Sequence, residues 1–100
     1  MKKLVIVAAA IATFASFQAE ARDAKEIYTK TCSMCHATGA ANAPIAHNAD
    51  AWKPRLAKGV PTLLKNAKSG FNAMPPMGMC ADCTDAEIKS VIDFMSKPKK

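Results

Sequence analysis

Apolar positions along the 100-residue chain fall into three patterns, and each predicts a different kind of segment. The first is an unbroken run. After Met1-Lys2-Lys3, Leu4 to Phe17 carry no charge, and Ala19-Glu20-Ala21 closes the run with a small-x-small sequence. That is the layout of a secretory signal peptide, and the run falls short of the ~20 residues that a bilayer span needs. Cleavage is expected after Ala21, or two residues earlier after Ala19. Residues 1–21 are thus read as a removed signal and 22–100 as one small domain, with no stable membrane insertion once the signal is gone.

The second pattern has helical period. Ile88, Val91, Ile92 and Met95 form a stripe behind Thr84-Asp85-Ala86-Glu87, whose Thr and Glu have capping-box spacing, and Pro98 stops it. Arg22 to Tyr28 predicts a first helix running into Cys32, with Asp23 as N-cap and Glu26 three residues on. Tyr28 lies on the face of Cys32 and packs inward, where Phe94 and Met95 of the last helix meet it. Two shorter helices are expected over Ala51 to Lys58 and Pro61 to Ser69. Gly59 and Gly70 stand where left-handed C-cap residues belong.

The third pattern is irregular. Ala37 to Asp50 is broken by Gly39, Asn42, Pro44 and Asn48. Gly70 to Met79 holds two prolines and three methionines and is expected to be an extended loop. The two loops flank the stretch that changes the picture most.

Cys32-Ser33-Met34-Cys35-His36 is two cysteines separated by two residues and followed at once by histidine, the attachment signature of c-type haem. Side chains three residues apart share a helix face, so both sulfurs can add to the two vinyl edges of one porphyrin. His36 is then placed under the metal, where a neutral imidazole nitrogen ligates iron. A ligating histidine donates its other ring N–H to a carbonyl or carboxylate, and the Pro44 carbonyl is the natural acceptor. A redox dithiol or half a zinc site would leave the histidine a coincidence. His47, eleven residues on in the proximal loop, is read as solvent-facing rather than as a ligand.

With the proximal ligand assigned, a thioether becomes a candidate on the other side. Met74 is favoured, because Pro75-Pro76 stiffens the backbone beside it; Met77 and Met79 remain alternatives. Trp52 and Arg55, three apart on one helix, offer an indole N–H and a guanidinium to a haem propionate. Cys80-Ala81-Asp82-Cys83 is not a second haem site, since Thr84 stands where histidine is required. In an exported protein the pair reads as a local disulfide, with a reactive dithiol as the alternative and a zinc site short of ligands.

Charge adds little beyond direction. The chain carries +6, of which Lys2, Lys3 and Glu20 contribute +1, leaving +5 on the mature domain. A modest positive field suits encounter with acidic redox partners. The lysines are scattered, without interleaved aromatics or a binding motif, which excludes a nucleic-acid reading. Seventy-nine residues from Arg22 to Lys100 bury a small core, and domains of that size commonly need a staple such as a cofactor.

Together these parts resemble a class I cytochrome c, and within that group the cytochrome c5 subgroup. The resemblance covers nearly all of the mature chain. It rests on Cys32-Ser33-Met34-Cys35-His36, Trp52-Lys53-Pro54-Arg55, Gly59, and Asn72-Ala73-Met74-Pro75-Pro76 leading into Cys80-x-x-Cys83. It implies an all-α fold of four or so short helices wrapped around one covalent haem c. It also implies Met74 as distal ligand opposite His36 and a Cys80–Cys83 disulfide. The chain departs from family habit at Met77, where lysine is frequent, and at Asn42, where glycine is. The function expected is that of an exported, periplasmic single-electron carrier, not an enzyme. The rivals are a haem sensor or peroxidase-like protein with a displaceable Met74, and a thiol–disulfide protein acting through Cys80 and Cys83.

Overall fold

The computed structural model describes residues 21–98, so the signal expected over residues 1–21 lies outside the described residues apart from Ala21. Five α-helices follow one another among the described residues: α1 (Ala24–Ile27), α2 (Ser33–His36), α3 (Ala49–Leu56), α4 (Val60–Ser69) and α5 (Asp85–Ser96). Among the described residues there is no β-strand, only a lone bridge between Phe71 and Met74. α1 packs against α5, as do α3 and α4, while the 3₁₀ turn Pro76–Met79 lies on α4.

α1 and α2 are one helical path interrupted by a π-helical stretch, Tyr28–Cys32. Three hydroxyls explain the widening. Thr29, Thr31 and Ser33 each turn back on the carbonyl four residues earlier, at 2.8, 3.0 and 3.0 Å, on Lys25, Ile27 and Thr29. Such back-bonding competes with the backbone ladder and bends helices. Here the Ser33 N–H skips to the Tyr28 carbonyl, a five-residue bond. The wide turn ends at Cys32, immediately before the rest of the cysteine–histidine motif on α2.

Several expected caps differ in detail. Asp23 holds the N-cap position, but its side chain makes no cap bond; Glu26, its expected partner, pairs forward with Lys30 at 3.0 Å instead. α3 begins two residues before the expected Ala51, because Asn48 accepts the Ala51 N–H at 3.2 Å and so caps the helix early. Gly59 and Gly70 have the expected positive φ, but their ψ of 143° and 149° puts them in mirror-extended rather than left-handed helical backbone. That region is open essentially to glycine alone. The capping box on α5 is formed as expected: Glu87 N–H donates to Thr84 Oγ1 at 3.2 Å, and Thr84 N–H to Glu87 Oε1 at 2.9 Å.

Packing is thin at the centre. Ile27, Ala67, Ile88, Val91, Ile92 and Met95 are buried, yet no described side chain falls below 2% exposure. Those six residues also line a cavity of about 460 Å³. The volume sits in the usual range for ligand sites, ~300–1,000 Å³. The apolar core is therefore a shell rather than a filled interior.

Candidate functional site

One wall of the cavity is α2 and the loop that follows it. Cys32, Cys35 and His36 line it together with Ala40 to Pro44. His36 is buried, at 8% exposure. Its Nδ1 lies 2.8 Å from the Pro44 carbonyl oxygen. A carbonyl accepts only, so Nδ1 carries the proton and Nε2 keeps its lone pair. The sequence placed this acceptor correctly. The same loop is pinned again by the Ala46 N–H on the His36 carbonyl at 2.7 Å.

Trp52 departs from expectation. It is absent from the cavity lining, and its indole N–H donates to the Ile45 carbonyl at 3.0 Å. The ring instead stacks on His36, with centroids 5.8 Å apart and planes 25° from parallel. A backbone acceptor already within reach takes the N–H, so the indole is not available to a propionate. Arg55 does line the cavity, steadied by donation from Nη1 to the Ala51 carbonyl at 2.6 Å. The structure thus separates the two residues that the sequence paired.

The opposite wall comes from the methionine loop. Met74, Met77 and Met79 all reach the cavity, along with Phe71 and Pro75. Phe71 and Met74 exchange backbone bonds of 2.8 and 3.0 Å, which closes a tight turn in front of Pro75-Pro76. Gly70 admits it: a Cβ there would lie 3.1 Å from the Met74 carbonyl and 3.2 Å from Pro76. Gly78 lies against the Met74 methyl, where a Cβ would come within 3.1 Å of Cε. Sequence reading missed this contact, which spacing alone does not announce.

His47 lies away from the cavity. It is half-buried rather than simply solvent-facing, its Nδ1 2.9 Å from the Lys97 carbonyl and its ring edge-on to Phe94 at 4.8 Å. Tyr28 packs on Phe94 at 5.4 Å, as expected, and burial pushes its hydroxyl pKa up. Cys80 and Cys83 form a disulfide, whereas Cys32 and Cys35 are in no disulfide. Cys80, Asp82 and Cys83 converge within 4.8 Å, but a disulfide leaves no thiolate to hold a metal. Burial raises the Cys32 thiol pKa, the Thr31 hydroxyl partly offsetting it.

A cluster not foreseen lies beyond the disulfide. Glu87, buried at 4% exposure, takes Arg22 Nε at 2.8 Å, and Arg22 Nη2 reaches Asp82 at 3.3 Å. The Arg22 side chain, the Thr84 N–H and the Arg22 N–H together hold the Glu87 pKa down to about 2, from an ordinary 4.5. The Arg22 guanidinium is shifted upward in turn by its bonds to Glu87 and Asp82. Sixty-five residues separate Arg22 from Glu87, so no local pattern signals the pair.

Comparison with known proteins settles the family. Residues 19–95 match the family described as "Cytochrome C oxidase, cbb3-type, subunit III". Cytochrome c5 of Azotobacter vinelandii is 49% identical over 78 residues, covering 76% of this chain and 94% of that protein. The chain belongs to the c-type cytochromes of class I, in the c5 subgroup. A mono-haem ferrocytochrome c from Shewanella putrefaciens superposes with a TM-score of 0.70 at 58% identity, covering 78% of this chain and 96% of its own. A cytochrome c solved in an electron-transfer complex with nitrite reductase gives 0.69 at 36%, covering 75% and 91%. The all-α fold around one haem is thereby established. As a c5-type cytochrome, the chain is an electron carrier with one covalent haem c.

The residues present fit that group. The core is a shell around an apolar cavity, two cysteines outside any disulfide stand three residues apart on its wall, and an imidazole nitrogen beside them has no hydrogen-bond partner for its lone pair among the described residues.

Proposed function

We propose that this c5-type cytochrome is a periplasmic single-electron carrier whose haem is attached through Cys32 and Cys35 and ligated by His36 and Met74. The observation that carries the reading is the His36 imidazole, fixed by Pro44 so that its unprotonated Nε2 is left for iron in the wall of the cavity. Haem, when bound, supplies a one-electron Fe(III)/Fe(II) couple, and a thioether ligand favours the ferrous side. Met74 is preferred to Met77 and Met79 because two backbone bonds and two prolines hold it. Arg55, in the cavity wall, is assigned to a propionate, where a guanidinium makes a charge-assisted bond.

Export rests on the pattern of residues 1–21, cleaved after Ala21. Among the described residues no helix is long and apolar enough to cross a membrane. Partner contact is assigned to the cavity rim, where Met34 is 69% and Met79 66% exposed and Phe71 lies under the Lys58 ammonium at 5.3 Å. An apolar rim with flanking lysines suits brief docking onto acidic protein surfaces. The relative solved with nitrite reductase is consistent with protein partners.

The test is protein purified from periplasm. It is expected to keep its haem through acidic acetone, to show the weak far-red sulfur-to-iron band when oxidised, and to resist carbon monoxide when reduced. Extractable haem would overturn the attachment, and ready carbon monoxide binding would favour a sensor or peroxidase-like role.

A further inference from the structure

Arg22, the residue expected to follow the cleavage point, reaches Glu87 twice. Its guanidinium makes the contact already described, and its backbone nitrogen lies 2.9 Å from Glu87 Oε2. Oε1 is occupied by the Thr84 N–H at 2.9 Å and by Arg22 Nη2 at 3.3 Å. Ala21, on the other side of the expected cleavage point, is exposed. We propose that signal removal turns the Arg22 nitrogen into an α-ammonium that pairs with the buried Glu87 carboxylate, fastening the mature amino terminus to the start of α5.

The inference rests on cleavage after Ala21. Water hydrolyses the Ala21–Arg22 amide; the Ala21 carboxylate departs with the signal, and the Arg22 nitrogen takes up protons to become an ammonium. Before cleavage the cluster holds one cation, the Arg22 guanidinium, against two carboxylates, Asp82 and Glu87. Afterwards it holds two of each. A neutral amide donor is thereby replaced by a cationic one, which adds an ion pair to a bond that the carboxylate already makes charge-assisted. Glu87 is at once the capping-box residue of α5 and a neighbour of the disulfide, whose sulfurs lie 3.6 and 3.7 Å from Arg22 Nη2. Processing thus tightens the segment that closes the methionine loop.

The experiment uses the exported holoprotein and a variant with Gly-Ser inserted between Ala21 and Arg22, which moves the ammonium two residues away and leaves an amide at Arg22. Mass spectrometry first fixes both amino termini. Denaturant midpoints are then compared in the Glu87 and Glu87→Gln backgrounds, forming a double-mutant cycle. The insertion is expected to lower the midpoint when Glu87 is present and to leave it unchanged in Glu87→Gln. Should Glu87→Gln not accumulate, the rate of α-amine modification by an aldehyde reagent serves instead: the matured chain should react several-fold more slowly than the Gly-Ser chain. An amino terminus other than Arg22 overturns the processing reading and this inference with it. An Arg22 terminus with equal midpoints and equal reactivity overturns the inference alone.

Discussion

The two walls of the haem cavity are rigid for different reasons. On the His36 side, polar side chains do the holding: imidazole to Pro44 carbonyl at 2.8 Å, indole to Ile45 carbonyl at 3.0 Å, and the two rings stacked. On the Met74 side the restraint is in the backbone: Gly70, Pro75, Pro76, the exchanged Phe71–Met74 bonds, and a disulfide behind them. Met77 and Met79 adopt positive φ of 62° and 68° there, a conformation that costs an ordinary residue energy. A nitrogen ligand has a second ring atom through which a hydrogen bond can aim it. A thioether sulfur is only a weak acceptor, so the chain around it must fix its position.

The largest break in this comparison is expected from His36→Ala, which removes the nitrogen proposed to ligate iron while leaving both cysteines. Haem should stay attached, but the visible spectrum should lose its low-spin form and the electron-transfer rate should collapse. Met74→Ala comes next: the sulfur-to-iron band should vanish and the potential fall, whereas Met77→Ala should keep the band. The reverse result would move the ligand assignment to Met77.

Trp52→Phe tests the polar wall at lower cost. It leaves the Ile45 carbonyl without its donor and should lower unfolding free energy by roughly 1–3 kcal/mol, with the sulfur-to-iron band unchanged. Gly78→Ala tests the backbone wall. The new methyl meets the Met74 methyl at φ 58°, where a non-glycine residue costs about 1–2 kcal/mol. It should weaken methionine ligation, seen as easier carbon monoxide binding, more than it lowers overall stability.

The smallest effect expected is acid-dependent and lies outside both walls. Glu87 has a folded pKa near 2 against an ordinary 4.5. A depressed carboxylate contributes stability that is complete above the unfolded pKa and is lost as pH falls through the folded one. The thermal midpoint should therefore decline between about pH 4.5 and 2, and Glu87→Gln should flatten that interval.

The difference between the walls also explains what was legible beforehand. Cys32, Cys35 and His36 are read from adjacency, and Pro44 follows because the next loop is the chain within reach. α5 announces itself through apolar period and Thr84–Glu87 spacing, both local. Trp52 was misplaced because sequence shows that an indole N–H needs a partner without showing that the Ile45 carbonyl is nearer than any propionate. Asn48 started α3 early through one side-chain bond, an effect two residues wide. Arg22, Asp82 and Glu87 were invisible as a group, since their proximity is created by docking α1 against α5. Gly70 is legible as a helix end and Gly78 only as part of a loop; their service, leaving space beside Met74, appears only once the loop is closed.

The shell-like core has a consequence for the cell. A domain whose interior is filled by its prosthetic group has little to close upon before that group arrives, so the unattached chain remains an open substrate for proteases. Abundance of this cytochrome should then follow haem supply more steeply than transcript level. In a pulse-chase under haem limitation, the Cys32→Ala/Cys35→Ala chain and the wild-type chain should decay with the same short half-life, and restoring haem should rescue only the latter. Turnover would thus act as the inspection step, clearing copies that missed attachment before they occupy a partner's docking site.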